Sequence, residues 1–115
     1  MSANTTTISP KKLRRQAPLF AALGDETRLA LLLKLSGGSL FSITRLAEGS
    51  PMSRQAITKH LRVLEESGLI RSIRQGRENL FQLEPKAIAE ARGALELISH
   101  QWEQALERLK AFVEK

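Results

Sequence analysis

Cysteine and tyrosine are absent from the 115-residue sequence, histidine occurs twice, and aromatic residues make up only 4%. The missing thiols exclude disulfides, thiolate metal ligation and thiol redox switching. Catalysis is poorly served as well, because no base, nucleophile and orienting group occur together and there is no glycine-rich phosphate loop. We therefore expect no catalytic residue and no cofactor. Long apolar runs are missing too: none approaches the length of a membrane span, and Met1 to Pro10 lacks the hydrophobic stretch of a secretory signal. The expectation is a soluble, cytoplasmic protein without a membrane partner.

What the sequence does hold is aliphatic and basic. Hydrophobic residues reach 42% with few rings among them, so the core must be built from Leu, Ile, Val and Ala, a composition that leans helical. The length suits one domain with a modest core. Residues 1–41 carry six Lys or Arg against two acids, residues 42–83 seven against four, and residues 84–115 five against six. Basicity thus ends where the last helix begins. A polyanion binder with a separate protein contact would be built this way, although solubility alone also favours basic surfaces.

Residues 1–12 read as a flexible basic tail, Ser-, Thr- and Asn-rich and without periodicity. Leu13, Ala17, Phe20 and Leu23 then share one helical face, and Pro18 within it requires either a break or a helix start nearby. Asp25 is placed to cap a second helix, with Leu29, Leu32 and Leu33 at helical spacing, that ends near Leu35. Beyond the break at residues 36–39, a short helix begins near Ser42 with Ile43, Leu46 and Ala47 apolar, and Gly49, Ser50 and Pro51 end it. Ser53 caps the next helix, which sets Ile57, Leu61 and Leu64 on one face and Gln55, Lys59, Arg62 and Glu66 on the other. Gly68 closes it. Residues 69–75 and 79–83 read as two strands of a hairpin around Gly76. After Glu84 and Pro85, Ile88, Ala91, Leu95, Ile98, Trp102, Ala105, Leu109 and Phe112 recur in steps of three and four, a coiled-coil seam. Its roughly 27 residues extend about 40 Å, more apolar stripe than a small domain covers alone.

A short helix, a turn and a capped helix in succession have a mechanical use: the first packs across the second, whose outer face and N-terminus are left free to enter the DNA major groove. Ser53, Arg54, Gln55, Thr58 and Lys59 occupy the first two turns of that second helix. There Arg, Lys and Gln can donate to base edges, and Ser and Thr can bond phosphates or bases. Arg62, a turn further on, is placed for phosphate. Arg71, Arg74 and Arg77 surround the hairpin glycine and form a cationic tip for the neighbouring backbone or minor groove. Glu65, Glu66 and Glu78 interrupt the positive charge, and a cluster of this kind with no partner is simply solvated. RNA suits the sequence less well, since Phe81 is the only ring in the ribbon on which a base could stack.

Over nearly its whole length the sequence resembles the ArsR family of winged-helix regulators. The resemblance is carried by FAALGDETRLALLLKL from Phe20 to Leu35 and, more specifically, by LAEGSPMSRQAITKHLRVLEESGLI from Leu46 to Ile70. It implies a homodimer joined by terminal helices, a recognition segment of Ser53, Arg54, Gln55, Thr58, Lys59 and His60, a wing bearing Arg74 and Arg77, and repression of a nearby promoter. Pro51 stands where the family often has Gly, with the spacing kept. Ser42 and Thr44 occupy the positions of the family's metal-sensing Cys-x-Cys. His100 and Glu103 imitate one end of its other metal site, but the upstream half offers only Ala87 and Ala89, so no metal is expected. The run SHQWEQALERLKAFV from Ser99 to Val113 resembles a metal-independent branch of the family.

The fold expected is therefore mainly α with a small β-hairpin wing: a winged helix-turn-helix with a long C-terminal dimerisation helix. Its parts are a helix-turn-helix over residues 42–68, a wing over 69–83 and the dimerisation helix over 86–113, all within one domain spanning 13–115. DNA contacts are assigned to Ser53, Arg54, Gln55, Thr58, Lys59, His60, Arg62, Arg74 and Arg77, and the dimer interface to Leu95, Ile98, Trp102, Ala105 and Leu109. The function expected is a homodimeric, sequence-specific regulator of transcription on double-stranded DNA, in the repressor sense. The alternative is a helix-mediated protein interaction module that binds nucleic acid only non-specifically.

Overall fold

The computed structural model of the chain describes residues 10–114. Two helices occupy the first apolar stretch, α1 (Pro10–Arg15) and α2 (Ala17–Leu23), separated at Gln16. Pro18 falls in the first turn of α2, where a missing N–H is harmless because those groups have no intrahelical acceptor. Residues 1–9 of the expected tail lie outside the described residues, and residues 10–12 belong to α1. The break resets the helical phase: Gln16, Leu19 and Ala22 are buried, whereas Ala17 is exposed and Leu13, Phe20 and Leu23 are only half-buried. The inward stripe is thus not the one that uninterrupted periodicity suggests.

Asp25 caps α3 (Glu26–Leu35), its Oδ2 accepting the Arg28 N–H at 3.0 Å. Here too the expected face needs correction. Leu31, Leu32 and Leu35 are buried, while Leu29 is 50% and Leu33 75% exposed. In a run where residues 29–33 are all apolar, periodicity supplies no phase, and what packs against the helix decides which leucines go in.

A two-residue strand, β1 (Phe41–Ser42), precedes α4 (Ile43–Ala47), and Ser42 caps that helix by accepting from the Arg45 N–H at 3.2 Å. After the turn comes α5 (Arg54–Glu66), capped by Ser53 through the Ala56 N–H at 3.1 Å. The wing follows as β2 (Ile70–Gln75) and β3 (Glu78–Leu83), paired antiparallel from Ile70↔Leu83 to Gln75↔Glu78. Phe41 and Ser42 pair with Phe81 and Leu80, so the expected hairpin becomes a three-stranded sheet in the order β1-β3-β2. Two residues are too few to show alternation, and the strand cannot be read from the sequence.

The end of α5 is a Schellman motif. Leu69 N–H bonds the Leu64 carbonyl and Gly68 N–H that of Glu65, both at 3.0 Å, with Gly68 in the left-handed region at φ +85°. This turn delivers buried Leu69 and Ile70 directly into the sheet. Leu69 in turn accepts from the Glu84 N–H at 2.9 Å, at the start of α6 (Pro85–Val113).

The core is aliphatic as the composition requires: Leu35, Leu46, Leu64 and Leu69 are fully enclosed, with Phe81 the one buried ring among the described residues. From α6 only Ala87, Ala91 and Ala94 are buried, and the helix then projects from the body, giving extents of 66 × 29 × 23 Å.

A Cβ added at Gly68 would meet nothing within 4 Å, so only backbone conformation opposes a side chain there. Gly68→Ala should therefore lower unfolding free energy by about 1–2 kcal/mol in urea titrations without change in secondary structure. A cost near zero would show that the left-handed turn is not required.

Candidate nucleic-acid interface

Three side chains seat α5: Ile57 and Leu61 are 1% exposed and Leu64 fully buried, so its apolar face is wholly committed to the core. The turn before it is braced from α3. Lys34 Nζ donates to the carbonyls of Leu46 at 3.0 Å and Glu48 at 3.4 Å, taking up acceptors that α4 leaves unpaired at its C-terminal end. Gly49 adopts φ +77°, and Ser50 Oγ accepts the Met52 N–H at 3.1 Å. These contacts fix the angle at which α5 leaves the body, and the sequence offers no sign of Lys34's part in them.

Outward from α5 stand Arg54, Gln55, Lys59 and Arg62, all exposed. Arg54 and Arg77, far apart in sequence, line one cleft of about 240 Å³ with Ser42, Thr44 and Asn79. The first turn of α5 and the tip of the wing therefore converge. Arg74 stays near the tip, its Nε donating to the Gly76 carbonyl at 3.4 Å. Arg71, in contrast, is tied down, with Nη2 donating to Gln82 Oε1 at 2.9 Å and Nη1 lying 3.7 Å from Glu84 Oε1. A strap missed by sequence reasoning joins wing to helix, the Ser72 hydroxyl donating to Glu65 Oε2 at 2.7 Å. Arg45, also not singled out beforehand, stacks over the Phe41 ring at 4.6 Å.

Three of the expected contact residues have local duties. Ser53 spends its oxygen on the cap, and the Thr58 hydroxyl donates back to the Arg54 carbonyl at 2.7 Å. His60 is half-buried and turned toward α3, with Nδ1 at 3.4 Å from Arg28 Nη1 and 3.7 Å from Asp25 Oδ2. Arg28 itself is anchored, Nε donating to the Ala22 carbonyl at 2.7 Å. The Arg28 backbone N–H holds the Asp25 carboxyl below its ordinary value, assisted by the charges of Arg28 and His60 and opposed by partial burial. His60 thus joins α5 to the cap of α3.

Along α6, Leu95, Ile98, Trp102 and Leu109 are exposed, Trp102 at 65%, and Ala105 is half-buried. Leu106, Phe112 and Val113 extend the same apolar surface. His100 and Glu103 lie exposed on this helix, and among the described residues no group of three or more His, Asp or Glu is placed to hold a metal.

A short helix braced across a capped helix with a polar outer face, followed by an arginine-tipped ribbon, defines a winged helix-turn-helix protein of the DNA-binding class. A family model described as a helix-turn-helix domain matches residues 23–73. The chain is 35% identical over 85 residues to the HTH-type transcriptional regulator Rv2034 of Mycobacterium tuberculosis, covering 74% of this chain and 76% of that one. To the arsenical resistance operon repressor of Escherichia coli it is 34% identical over 95 residues, 83% of this chain and 79% of that one. The solved structure of an ArsR-like transcriptional regulator from Rhodococcus sp. RHA1 superimposes with a TM-score of 0.75 at 36% identity, over 89% of this chain and 95% of that one. The chain belongs to the ArsR family of winged helix-turn-helix transcriptional regulators. An interaction module with only non-specific nucleic-acid binding is not favoured.

Because its folded-state pKa is lowered, Asp25 contributes stability that is fully present above the ordinary carboxylate value of 3.8 and is lost as pH falls through the depressed one. Asp25→Ala should melt below the parent protein at neutral pH, and the gap should close as pH is taken below 3.8. A gap that persists unchanged in acid would assign the loss to something other than the ionised cap.

Proposed function

We propose that the protein is a homodimeric repressor that reads double-stranded DNA with α5 and grips the flanking backbone with the wing. The observation that carries this reading is the division of α5 into a buried face of Ile57, Leu61 and Leu64 and a solvent face of Gln55, Lys59 and Arg62, with Arg54 meeting Arg77 at one cleft. Gln55 and Lys59, four residues apart, read base edges. Arg62, Arg74 and Arg77 neutralise phosphates, and Ser53 and Thr58 serve mainly to hold the helix N-terminus in shape. His60 acts from behind, through Asp25 and Arg28. Residues 42–68 form the reading unit and 69–83 the wing.

The dimer forms through residues 86–113, with Leu95, Ile98, Trp102, Ala105 and Leu109 facing the second copy. Support comes from the run of large apolar side chains left exposed on a projecting helix, a surface that single soluble domains rarely keep. Repression is taken from the E. coli relative, which is named as a repressor. Arsenic or metal sensing is not carried over. The chain has no cysteine, and its only two histidines stand on different elements. A cytoplasmic site of action goes with a repressor that reads DNA; no described helix is long and apolar enough to cross a bilayer.

Gln55→Ala or Lys59→Ala should weaken binding to a selected operator by about 1–3 kcal/mol while barely changing affinity for random duplex. Arg74→Ala or Arg77→Ala should weaken all duplexes alike and flatten the salt dependence by about one unit of logarithmic slope. Equal losses on specific and random DNA from the α5 variants, in protein that stays folded, would remove α5 as the reading element. For assembly, Leu95→Glu and Ile98→Glu should convert dimer to monomer in sedimentation, since an unpaired buried carboxylate costs several kcal/mol. An unchanged mass would place the dimer contact elsewhere.

A further inference from the structure

The far half of α6 carries more apolar surface than its seam from Ile88 to Phe112 accounts for, and the two flanks beside that seam differ along the helix. On one flank Ala87 and Ala94 are buried against the helix's own body, and the same row continues outward as exposed, polar Gln101 and Arg108. On the other flank Arg92 and Ser99 are exposed and polar, but at the same spacing Leu106 and Val113 follow, 46% and 73% exposed. The apolar flank thus changes sides: the near half leans on its own domain, and the far half has an apolar edge turned the opposite way. A stripe of that width belongs to a helix laid on a core, whereas two helices alone need only the seam.

Outside α6, the large apolar residues left exposed among the described ones are Leu29, Leu33, Val63 and Ile73. Val63 and Ile73 are mostly covered and stand apart on α5 and β2. Leu29 and Leu33 lie one turn apart on the outer face of α3, half and three-quarters exposed. Residues 1–9 offer little to cover this face, since their apolar members are Met1, Ala3 and Ile8.

We propose that the far end of α6 docks on the second copy's α3, with Leu106 and Val113 of one copy against Leu29 and Leu33 of the other. This rests on the reading of α6 as the dimer helix and adds a direction to it. The two α6 helices run antiparallel, because a parallel pair would hold both tips together, away from either body, and leave Leu106 and Val113 in water. Side-chain size favours the same arrangement. With Ile98 opposite Trp102, antiparallel helices set Leu95 opposite Ala105, whereas parallel helices set Trp102 against Trp102 and Ala105 against Ala105. The antiparallel register also brings Phe112 opposite Ile88, where the second copy's α6 joins its body. Leu33 adjoins Lys34, which braces the turn before α5, so the docked tip steadies the helix that holds that turn.

The chain has no cysteine, so introduced thiols report contacts directly. Full chains carrying Val113→Cys are co-expressed with chains carrying Leu33→Cys or Leu29→Cys under a different tag, purified as the mixed dimer and treated with a short bis-maleimide. The mixed dimer should cross-link between unlike chains, while dimers of any one variant should not. Self-cross-linking of Val113→Cys, or no product from either mixed pair, overturns the proposal. In sedimentation, Leu33→Glu should raise the dimer dissociation constant at least about tenfold while keeping the parent's circular dichroism, since Leu33 is three-quarters exposed in its own chain. An unchanged dissociation constant overturns the docking, and so does loss of folding, which would mean that Leu33 is covered within its own copy. Leu95→Glu is measured alongside. If it dissociates the dimer and Leu33→Glu does not, α6 joins the copies and only its docking on α3 is refuted. A parent protein that sediments as a monomer refutes both.

Discussion

The burial of Ile57, Leu61 and Leu64 beneath α5 is the constraint on which the interface depends. Each is enclosed almost completely, and burial of such side chains contributes about 1.5–3 kcal/mol apiece. Exposed ion pairs, by comparison, contribute about 0–1 kcal/mol. The helix is therefore positioned by its apolar face, and its outward Gln55, Lys59 and Arg62 carry little responsibility for stability. They are free to be chosen for what they contact. The polar links that do reach α5, from Glu65 to Ser72 and from His60 to Asp25, lie along its flanks and fix orientation without entering the outward stripe.

Orientation is transmitted through a short stretch of backbone. Leu69 donates to the Leu64 carbonyl and accepts from the Glu84 N–H, with Gly68 donating to Glu65 beside them, so the end of α5, the beginning of the sheet and the cap of α6 form one junction. Gly68 makes the junction possible because its left-handed φ reverses the chain within a single residue. The wing inherits its placement from the same point, and Gln82 holds its other side by donating to the Gly38 carbonyl at 2.9 Å. Arg77 is consequently brought to Arg54 by covalent geometry and sheet register, with no direct attraction between these two like charges.

Much of this was legible in the sequence, and the reason differs from element to element. Asp25, Ser53 and Gly68 announced helix ends because capping depends on one residue's own chemistry, independent of tertiary context. The stripe of α5 was legible because polar residues separate its apolar ones. The stripe of α3 was not, since an unbroken apolar run fits several phases and only the packed neighbours choose Leu31, Leu32 and Leu35. Similarly, β1 was too short to alternate, and the break at Gln16 shifted the phase that Leu13 and Phe20 suggested. At the interface, residue type identified the cations but not their engagements. Arg71 and Arg74 look alike in sequence, yet Arg71 is bound to Gln82 and Glu84 while Arg74 remains at the tip.

Side-chain size along α6 changes with the surface it meets. Ala87, Ala91 and Ala94 lie where the helix packs on its own domain, and small residues let the backbones approach closely. From Leu95 onward most apolar positions are large, and there the helix has left the body and most of those side chains stand in solvent. A helix serving only its own domain would need neither the second half nor its bulk. In the proposed dimer, the same continuous helix that holds the partner at its far end begins at the junction with α5. A rigid helix makes the separation of two reading helices a property of the junction angle. Residues 84–115, with five basic residues against six acidic ones, add no net positive charge that would draw this arm onto DNA in competition with α5 and the wing.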